Sequence, residues 1–132
     1  EGDGGRYIGT WHAVICRDEA RDWTNWGMYR LMVLNERHIA GLFAPYTHQY
    51  QIFQRVYAPK KQNMPIAIAI GMDPICSMMA ASRSFGNQSE VDLAGAVHQK
   101  PVELVKCETN DLLVPASTEI VLEGEVKNGT KS

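Results

Sequence analysis

An alternation of bulky and small residues from Pro65 to Gly71 constrains the fold of this chain most strongly. Side chains in a strand point alternately to opposite faces, so the isoleucines at 66, 68 and 70 share one face. Two alanines and a glycine take the other face. We therefore expect a strand whose small face allows another part of the protein to pack closely against it.

The remaining sequence predicts strands interrupted by short helices. Runs of β-forming residues predict strands at 10–17, 26–34, 38–44, 102–108, 112–114 and 118–126. Helices are predicted at 47–57, 73–82 and from Ser89 to just before Pro101, with Thr47, Asp73 and Ser89 as N-caps. Residues 84–88 read as a loop. This irregular order favours an α+β domain whose strands curl into a small barrel, with a doubly wound sheet as the second choice.

Composition and net charge indicate no particular class of binding partner. The chain has 132 residues, which fits one domain, and its net charge of −2 gives no electrostatic argument for nucleic acid or an anionic membrane. No apolar run reaches the ~18 residues of a membrane helix, and residues at the N-terminus do not show the basic-then-apolar pattern of a secretory signal. Three widely spaced cysteines are expected to be buried free thiols, which favours a reducing, cytoplasmic setting.

Four polar residues suggest chemistry. Asn25, His48 and Glu90 offer a carbonyl oxygen, an imidazole and a carboxylate, a mixed set that suits Mg²⁺ or Mn²⁺. Glu90 falls in the first turn of its predicted helix, where the positive end of the dipole favours an ionised carboxylate. Arg30 lies in an apolar strand predicted to be buried on both faces, so it should face an anion. Together they indicate phosphate or flavin chemistry.

Each of these residues also has a purely structural interpretation. Asn25 could be a turn residue, His48 a helix-start or surface residue, and Glu90 a helix-start charge. Arg30 could belong to a structural ion pair. The other three histidines, His12, His38 and His98, are interpreted as structural.

Longer segments resemble a known family. WTNWGMYR, PYTHQYQIFQ, MPIAIAIGMDP and PVELVKCETNDLLVPASTEIVLEGE are similar to the UbiD decarboxylases, which include ferulic acid, vanillate and 4-hydroxybenzoate decarboxylases. The likeness covers about residues 10–126. It implies that residues 1–132 are the central domain that binds prenylated FMN, a split β-barrel with short flanking helices. Because the chain opens at Glu1 and closes on a polar tail at Ser132, we expect both ends to be cuts in a longer protein.

The resemblance implies roles for the polar residues. Asn25, His48 and Glu90 match the family's ligands for Mn²⁺ or Mg²⁺, an ion that contacts the cofactor phosphate. Arg30 matches the arginine beside the reactive flavin ring, so it is the implied catalytic residue. The two glutamates that accompany this arginine would lie beyond Glu125, where the chain has no matching segment.

Further positions match the family's cofactor and potassium sites. Trp23, Ala80 and Ser82 match positions that supply backbone oxygens to K⁺. Thr47 stands where the ferulic acid branch has Gln, and Ala80-Ala81-Ser82 replaces a more polar Ser pair. Met28, Tyr29, Ala44 and Thr47 match the family's positions near the substrate. The implied cofactor-binding residues are Asn25, Trp26, Gly27, Met28, Tyr29, Arg30, Thr47, His48, Ala80, Ala81, Ser82 and Glu90.

The implied activity is non-oxidative, reversible decarboxylation of an aromatic or α,β-unsaturated carboxylic acid. A flavin prenyltransferase would supply the cofactor, and the full-length protein would be a homo-oligomer formed through a C-terminal domain. Two alternatives stay open: a flavin-binding module without catalysis, and a flavin reductase on a similar barrel.

Overall fold

A four-stranded antiparallel sheet carries the core, with two smaller sheets and three α-helices around it. The computed structural model describes residue 2, residues 4–82 and residues 88–129. The strands are β1 (Arg6–Ile8), β2 (His12–Asp18), β3 (Trp23–Gly27), β4 (Leu31–Val33), β5 (Ile39–Gly41), β6 (Met64–Ile70), β7 (Leu104–Lys106), β8 (Leu113–Pro115) and β9 (Ile120–Val126). The helices are α1 (His48–Ile52), α2 (Pro74–Ala81) and α3 (Glu90–His98).

The strands pair in three antiparallel groups. The largest sheet has the order β3-β2-β6-β9, a second has β1-β4-β5, and β7 pairs with β8. This mixture of sheets and helices confirms the predicted α+β class. Within the described parts of the chain the strands hydrogen-bond as three separate sheets, so closure into a split barrel stays a prediction.

The predicted small face of β6 is confirmed. Ala67 and Ala69 are completely buried and belong to the main core, together with Trp26 of β3. Cys76 of α2 and Ala94 of α3 belong to the same cluster. Methyl side chains on β6 leave room for this indole and for the small residues of both helices, which is how α2 and α3 come to cover this face of the sheet.

The prediction of one strand at 26–34, buried on both faces, was wrong. The segment is divided between β3, which pairs with β2, and β4, which pairs with β1 and β5. The chain bends between the two sheets at 28–30, and Arg30 is exposed there. A side chain at Gly27 would collide with the present position of the Tyr29 ring, so the close approach of that ring requires glycine. An alternation pattern does not reveal that a strand changes sheets.

The helix predicted at 47–57 also differs from the structure. The α-helix ends at Ile52 and continues as a π-helical turn, Phe53–Tyr57, and a 3₁₀ turn, Ala58–Lys60. Thr47 occupies the N-cap position, but its hydroxyl donates to the Ala44 carbonyl, 2.7 Å away, and does not cap the helix.

The other two helix starts are confirmed. The Asp73 carboxylate accepts a hydrogen bond from the Ile75 N–H at 2.9 Å, and the Ser89 hydroxyl accepts one from the Val91 N–H at 3.4 Å. The predicted loop at 84–88 lies largely outside the described residues. The three cysteines are free and buried, as predicted. Within the described ranges, no helix has the length and apolar character needed to cross a bilayer.

Candidate functional site

The start of α3 covers the open edge of β3. β3 is an edge strand of the main sheet, so polar groups on its outer side need partners other than another strand. The Ser89 hydroxyl donates to the Thr24 carbonyl at 2.8 Å, and the Trp26 N–H donates to a carboxylate oxygen of Glu90 at 3.0 Å. The N-cap of α3 and the residue after it therefore extend the hydrogen bonding of the sheet.

This contact brings two of the sequence-predicted residues together. The Asn25 side-chain amide donates to both carboxylate oxygens of Glu90, at 3.2 and 3.3 Å. Each residue is only 2% exposed. Hydrogen bonds to the charged form and the positive end of α3 offset the cost of burying a carboxylate there.

A further feature of this pair is the carbonyl oxygen of Asn25. It is buried, and no other polar atom of the described chain hydrogen-bonds to it. Leaving such an oxygen without a partner costs about 1–3 kcal/mol. An amide oxygen beside a carboxylate is a donor set that Mg²⁺ and Mn²⁺ prefer. Asn25 and Glu90 therefore fit the divalent ion that the sequence predicts.

His48, the third predicted ligand, starts α1 and is half-buried. Its imidazole packs edge-on against the indole of Trp23, with ring centroids 5.1 Å apart. Side chains two apart in a strand share a face, so His48 contacts a neighbour of Asn25 on β3. Direct convergence of His48 with Asn25 and Glu90 stays a prediction.

Tyr29 and Thr47, both predicted to line the cofactor, do meet. The half-buried Tyr29 phenol is in hydrogen-bonding contact with the Thr47 side chain and with the Gln49 backbone. Burial raises the pKa of Tyr29 to about 12, with these hydrogen bonds acting in the opposite direction. The side chain is therefore a neutral phenol at pH 7. It ties the bend after β3 to the start of α1.

Arg30 borders a different depression from the one beside the Asn25–Glu90 pair. It borders a depression of about 390 Å³ with Tyr7, Ile8 and Leu31. A second depression, of about 750 Å³, is lined by residues next to the pair, among them Trp23, Thr24 and Ser89. Within the described ranges no carboxylate lies at salt-bridge distance from the Arg30 guanidinium. Its catalytic role stays a prediction.

The predicted potassium positions occupy the start of β3 and the end of α2. Trp23 is half-buried, Ala80 is buried in the last turn of α2, and Ala81 and Ser82 are exposed. The Ser82 hydroxyl donates to the Met79 carbonyl at 2.7 Å. α2 and β3 are neighbouring elements, and the potassium ligand set itself stays a prediction.

Sequence analysis missed Gln49. Its side chain is completely buried, its amide donates to the Val14 carbonyl, and its own carbonyl oxygen has no hydrogen-bond partner among the described residues. It directly follows His48, on the helix that faces the candidate site. Nothing distinguishes it in sequence from the exposed Gln51 and Gln54, so only tertiary packing reveals it.

His12, interpreted as structural, is buried against the same region. Its Nε2 lies 2.9 Å from the Tyr29 carbonyl oxygen, which holds the bend between β3 and β4. The structural interpretation agrees with this contact.

Comparison with known proteins gives the family. The sequence model of the family described as UbiD, 3-octaprenyl-4-hydroxybenzoate carboxy-lyase Rift-related domain, matches residues 1–132. Ferulic acid decarboxylase 1 of Saccharomyces cerevisiae is 39% identical over 123 residues, covering 92% of this chain and 24% of the relative. Pyrrole-2-carboxylic acid decarboxylase of Pseudomonas aeruginosa is 36% identical over 126 residues, covering 96% and 25%. The chain thus spans about a quarter of the length of these curated relatives.

Solved structures agree. The UbiD-class enzyme HmfF from Pelotomaculum thermopropionicum, in an evolved dimeric form in complex with prFMN, superposes with a TM-score of 0.90 at 33% identity. It is matched over 100% of this chain and 30% of its own. Vanillic acid decarboxylase from Sedimentibacter hydroxybenzoicus, in closed form, gives 0.91 at 30% identity, over 100% and 29%. The family model and these relatives together show that the chain belongs to the UbiD family of decarboxylases.

Proposed function

We propose that this chain is the cofactor- and metal-binding part of an enzyme that removes CO₂ from an aromatic or α,β-unsaturated carboxylic acid without net oxidation. The observation that carries the proposal is the buried Asn25–Glu90 pair with its unpartnered Asn25 carbonyl oxygen. The decarboxylases among the relatives act on acids of related kinds, ferulic, pyrrole-2-carboxylic and phenolic, which supports the substrate class.

The divalent ion would be Mn²⁺ or Mg²⁺. Asn25 and Glu90 would contribute oxygen ligands, and His48 would contribute its imidazole from the start of α1. Waters and a phosphate oxygen of the flavin would complete the coordination, as is usual for these ions. The ion would supply the missing partner of the Asn25 carbonyl oxygen, so binding would relieve an unfavourable feature of the metal-free site.

The flavin would be prenylated FMN, the group named for the HmfF relative. When bound, it supplies the electron sink that decarboxylation needs. Trp26, Gly27, Met28, Tyr29 and Thr47 would line it. A flavin prenyltransferase would supply this cofactor to the protein.

Arg30 would bind the substrate carboxylate. A guanidinium offers two parallel donors to a carboxylate, and its exposure at the bend after β3 leaves those donors accessible. Met28, Tyr29, Ala44 and Thr47 would shape the preference among acids. Backbone oxygens of Trp23, Ala80 and Ser82 would bind K⁺ beside the cofactor. The homo-oligomer and the acid–base groups that protonate the product would come from other parts of the full-length protein.

A second candidate is a flavin-binding module that does not catalyse a reaction by itself. Arg30 is the single residue within the described chain to which we give a catalytic role, and it has no carboxylate partner there. Cofactor retention without CO₂ release would favour this alternative.

The test uses the full-length protein produced together with a flavin prenyltransferase. Mass spectrometry of the released cofactor should find prenylated FMN, and cinnamic- and hydroxybenzoic-type acids should be assayed for CO₂ release. Glu90→Gln should abolish flavin retention through gel filtration. Asp92→Asn is the matched control, because Asp92 is an exposed carboxylate in the same first turn of α3, and it should retain flavin. A wild-type protein that binds no flavin, or a Glu90→Gln variant that keeps it, would overturn the proposal.

A further inference from the structure

A second group of metal-ligating side chains lies at the other end of α3 from Glu90. Asp73 is the N-cap of α2, Cys76 lies in the first turn of that helix, and His98 is the last residue of α3. One ligand atom from each lies within 4.8 Å of the other two. His98 Nε2 is 2.9 Å from the nearer carboxylate oxygen of Asp73, Oδ1. The nine-residue length of α3 separates this group from Glu90 by ~12 Å along the helix axis.

The chemical mixture differs from that of the flavin site. A thiol, an imidazole and a carboxylate form a set that suits Zn²⁺, whereas Mg²⁺ and Mn²⁺ prefer oxygen ligands and avoid thiolate. Three protein ligands leave one position of a tetrahedral ion for water. We propose that Asp73, Cys76 and His98 bind one Zn²⁺ ion, with water as the fourth ligand, between α2 and α3.

Burial gives the site a closed side and an open side. Cys76 is only 1% exposed and stands against the core, so its thiol forms the inner wall. The side chains of Asp73 and His98 are 34% and 23% exposed, which leaves a route for an ion and its water ligand. Ligand atoms of a tetrahedral zinc site are roughly 3–4 Å apart, given metal–ligand bonds of about 2.0–2.3 Å. The ligand atoms lie within 4.8 Å of one another, close to that spacing.

The local charges also favour the ion. The N-terminal end of α2 carries partial positive charge, which stabilises the Asp73 carboxylate, and the C-terminal end of α3 carries partial negative charge, which stabilises a cation next to His98. When Zn²⁺ binds, the Cys76 thiol gives its proton to solvent and the sulfur forms the bond to the metal. The proton that His98 Nε2 donates to the Asp73 carboxylate also leaves, and the imidazole binds through Nε2 as the neutral tautomer protonated at Nδ1.

Asp73 is held in place for this role by other contacts. Its Oδ1 accepts from the Ile75 N–H and lies against His98, and its own N–H donates to the Ser117 hydroxyl at 3.0 Å. Both of these side-chain contacts are made by Oδ1, so we assign the second carboxylate oxygen, Oδ2, as the ligand while the helix cap persists.

Cobalt substitution tests the proposal on the full-length protein after metal removal. Co²⁺ bound to a thiolate gives a sulfur-to-metal charge-transfer absorption, which Co²⁺ at the flavin site would not give because the ligands proposed there, Asn25, His48 and Glu90, bind through oxygen and nitrogen. We expect one equivalent of Co²⁺ to produce this band and one equivalent of Zn²⁺ to remove it. Cys76→Ser should abolish the band, whereas Cys107→Ser, another buried thiol, and Glu90→Gln should leave it unchanged.

Two further variants keep the test decisive if Cys76→Ser fails to fold. Asp73→Asn keeps a good N-cap acceptor and removes the charge, and His98→Gln changes a partly exposed residue at a helix end. Each should weaken Zn²⁺ binding by more than about tenfold, since even outer partners of metal ligands contribute that much. Absence of the band in the wild-type protein, its persistence in Cys76→Ser, or unchanged zinc affinity in both Asp73→Asn and His98→Gln would overturn the proposal.

Discussion

The side-chain amide of Asn25 lies 3.2 and 3.3 Å from the two carboxylate oxygens of Glu90, although the residues are 65 positions apart in sequence. The contact is also part of the fold, because Glu90 at the same time accepts the outward N–H of Trp26 on the open edge of β3. The start of α3 thus completes the sheet and places a carboxylate beside an unpartnered amide oxygen. Substitutions here should change binding and stability together, and suitable pairs of variants can separate the two effects.

The first prediction concerns the affinity of the protein for Mn²⁺. Glu90→Gln removes the negative charge but keeps the shape of the side chain, so Mn²⁺ affinity should fall by roughly 10- to 100-fold, the equivalent of losing about 1.5–3 kcal/mol of charge-assisted interaction. Electron paramagnetic resonance of free Mn²⁺ during a titration measures this directly. Asp92→Asn should bind Mn²⁺ like the wild type, and equal losses in the two variants would point to a general charge effect.

The second prediction concerns the N-cap of α3. The Ser89 hydroxyl accepts from the Val91 N–H and donates to the Thr24 carbonyl, and the residue is only 8% exposed. Ser89→Ala should lower the free energy of unfolding by about 1–2 kcal/mol, because the helix loses its cap and Thr24 loses its donor. Denaturant unfolding followed by circular dichroism gives the value. Ser82→Ala, at an exposed helix end, should change it by less than ~0.5 kcal/mol.

Local signals made part of this fold predictable. The caps Asp73 and Ser89 mark α2 and α3 within one residue, because a capping side chain bonds to the backbone two positions later. The alternation of β6 identifies both its strand character and its small buried face, since Ala67 and Ala69 are completely buried. Such features depend on residues close in sequence, so tertiary packing does not alter them and the sequence alone can predict them.

Features that depend on contacts between distant parts of the chain could not be predicted from the sequence. Nothing in the run from Trp26 to Leu34 shows that the chain leaves one sheet at Gly27 and enters another at Leu31, so Arg30 was assigned to a buried strand and is exposed. The Asn25–Glu90 contact follows from family resemblance, not from spacing, because it depends on α3 docking against an edge strand. Gln49 gave no signal, since its burial is decided by packing against Val14.

The third prediction concerns the charge pair behind the β2–β3 hairpin. The Asp18 side chain is completely buried; it accepts from the Ala20 N–H at 3.1 Å and from the Arg55 guanidinium. Asp18→Asn should lower the free energy of unfolding by about 1–3 kcal/mol. This loss is smaller than is usual when a buried ion pair is broken, because the Arg55 side chain is 41% exposed and can turn to solvent.

Asp22 provides the matched control for Asp18. It pairs with Arg17 on the same hairpin, but its side chain is 83% exposed, and surface ion pairs contribute only about 0–1 kcal/mol. Asp22→Asn should therefore change the free energy of unfolding little. Urea unfolding of both variants measures the difference, and a larger loss in Asp22→Asn than in Asp18→Asn would contradict the role given to burial.

The last prediction concerns acid sensitivity at Glu123 of β9. Its carboxylate accepts from the Thr109 hydroxyl, the Glu108 N–H at 2.8 Å and the Thr109 N–H at 2.6 Å, which hold the turn between β7 and β8. The Thr109 hydroxyl and these backbone donors keep the pKa of Glu123 below its ordinary value of 4.5. Because the folded-state pKa is lowered, the stabilisation is complete above pH 4.5 and disappears as the pH falls through the folded-state pKa.

Glu123→Gln should therefore have a lower free energy of unfolding than the wild type at pH 7, and this difference, the gap, should close on acidification below pH 4.5. Unfolding of the variant and the wild type across this pH range measures the gap, with Glu36→Gln, at an exposed turn residue, as the control. A gap that does not change with pH would contradict the prediction, because the shape of the hydrogen bonds and not the charge of Glu123 would then set the stability.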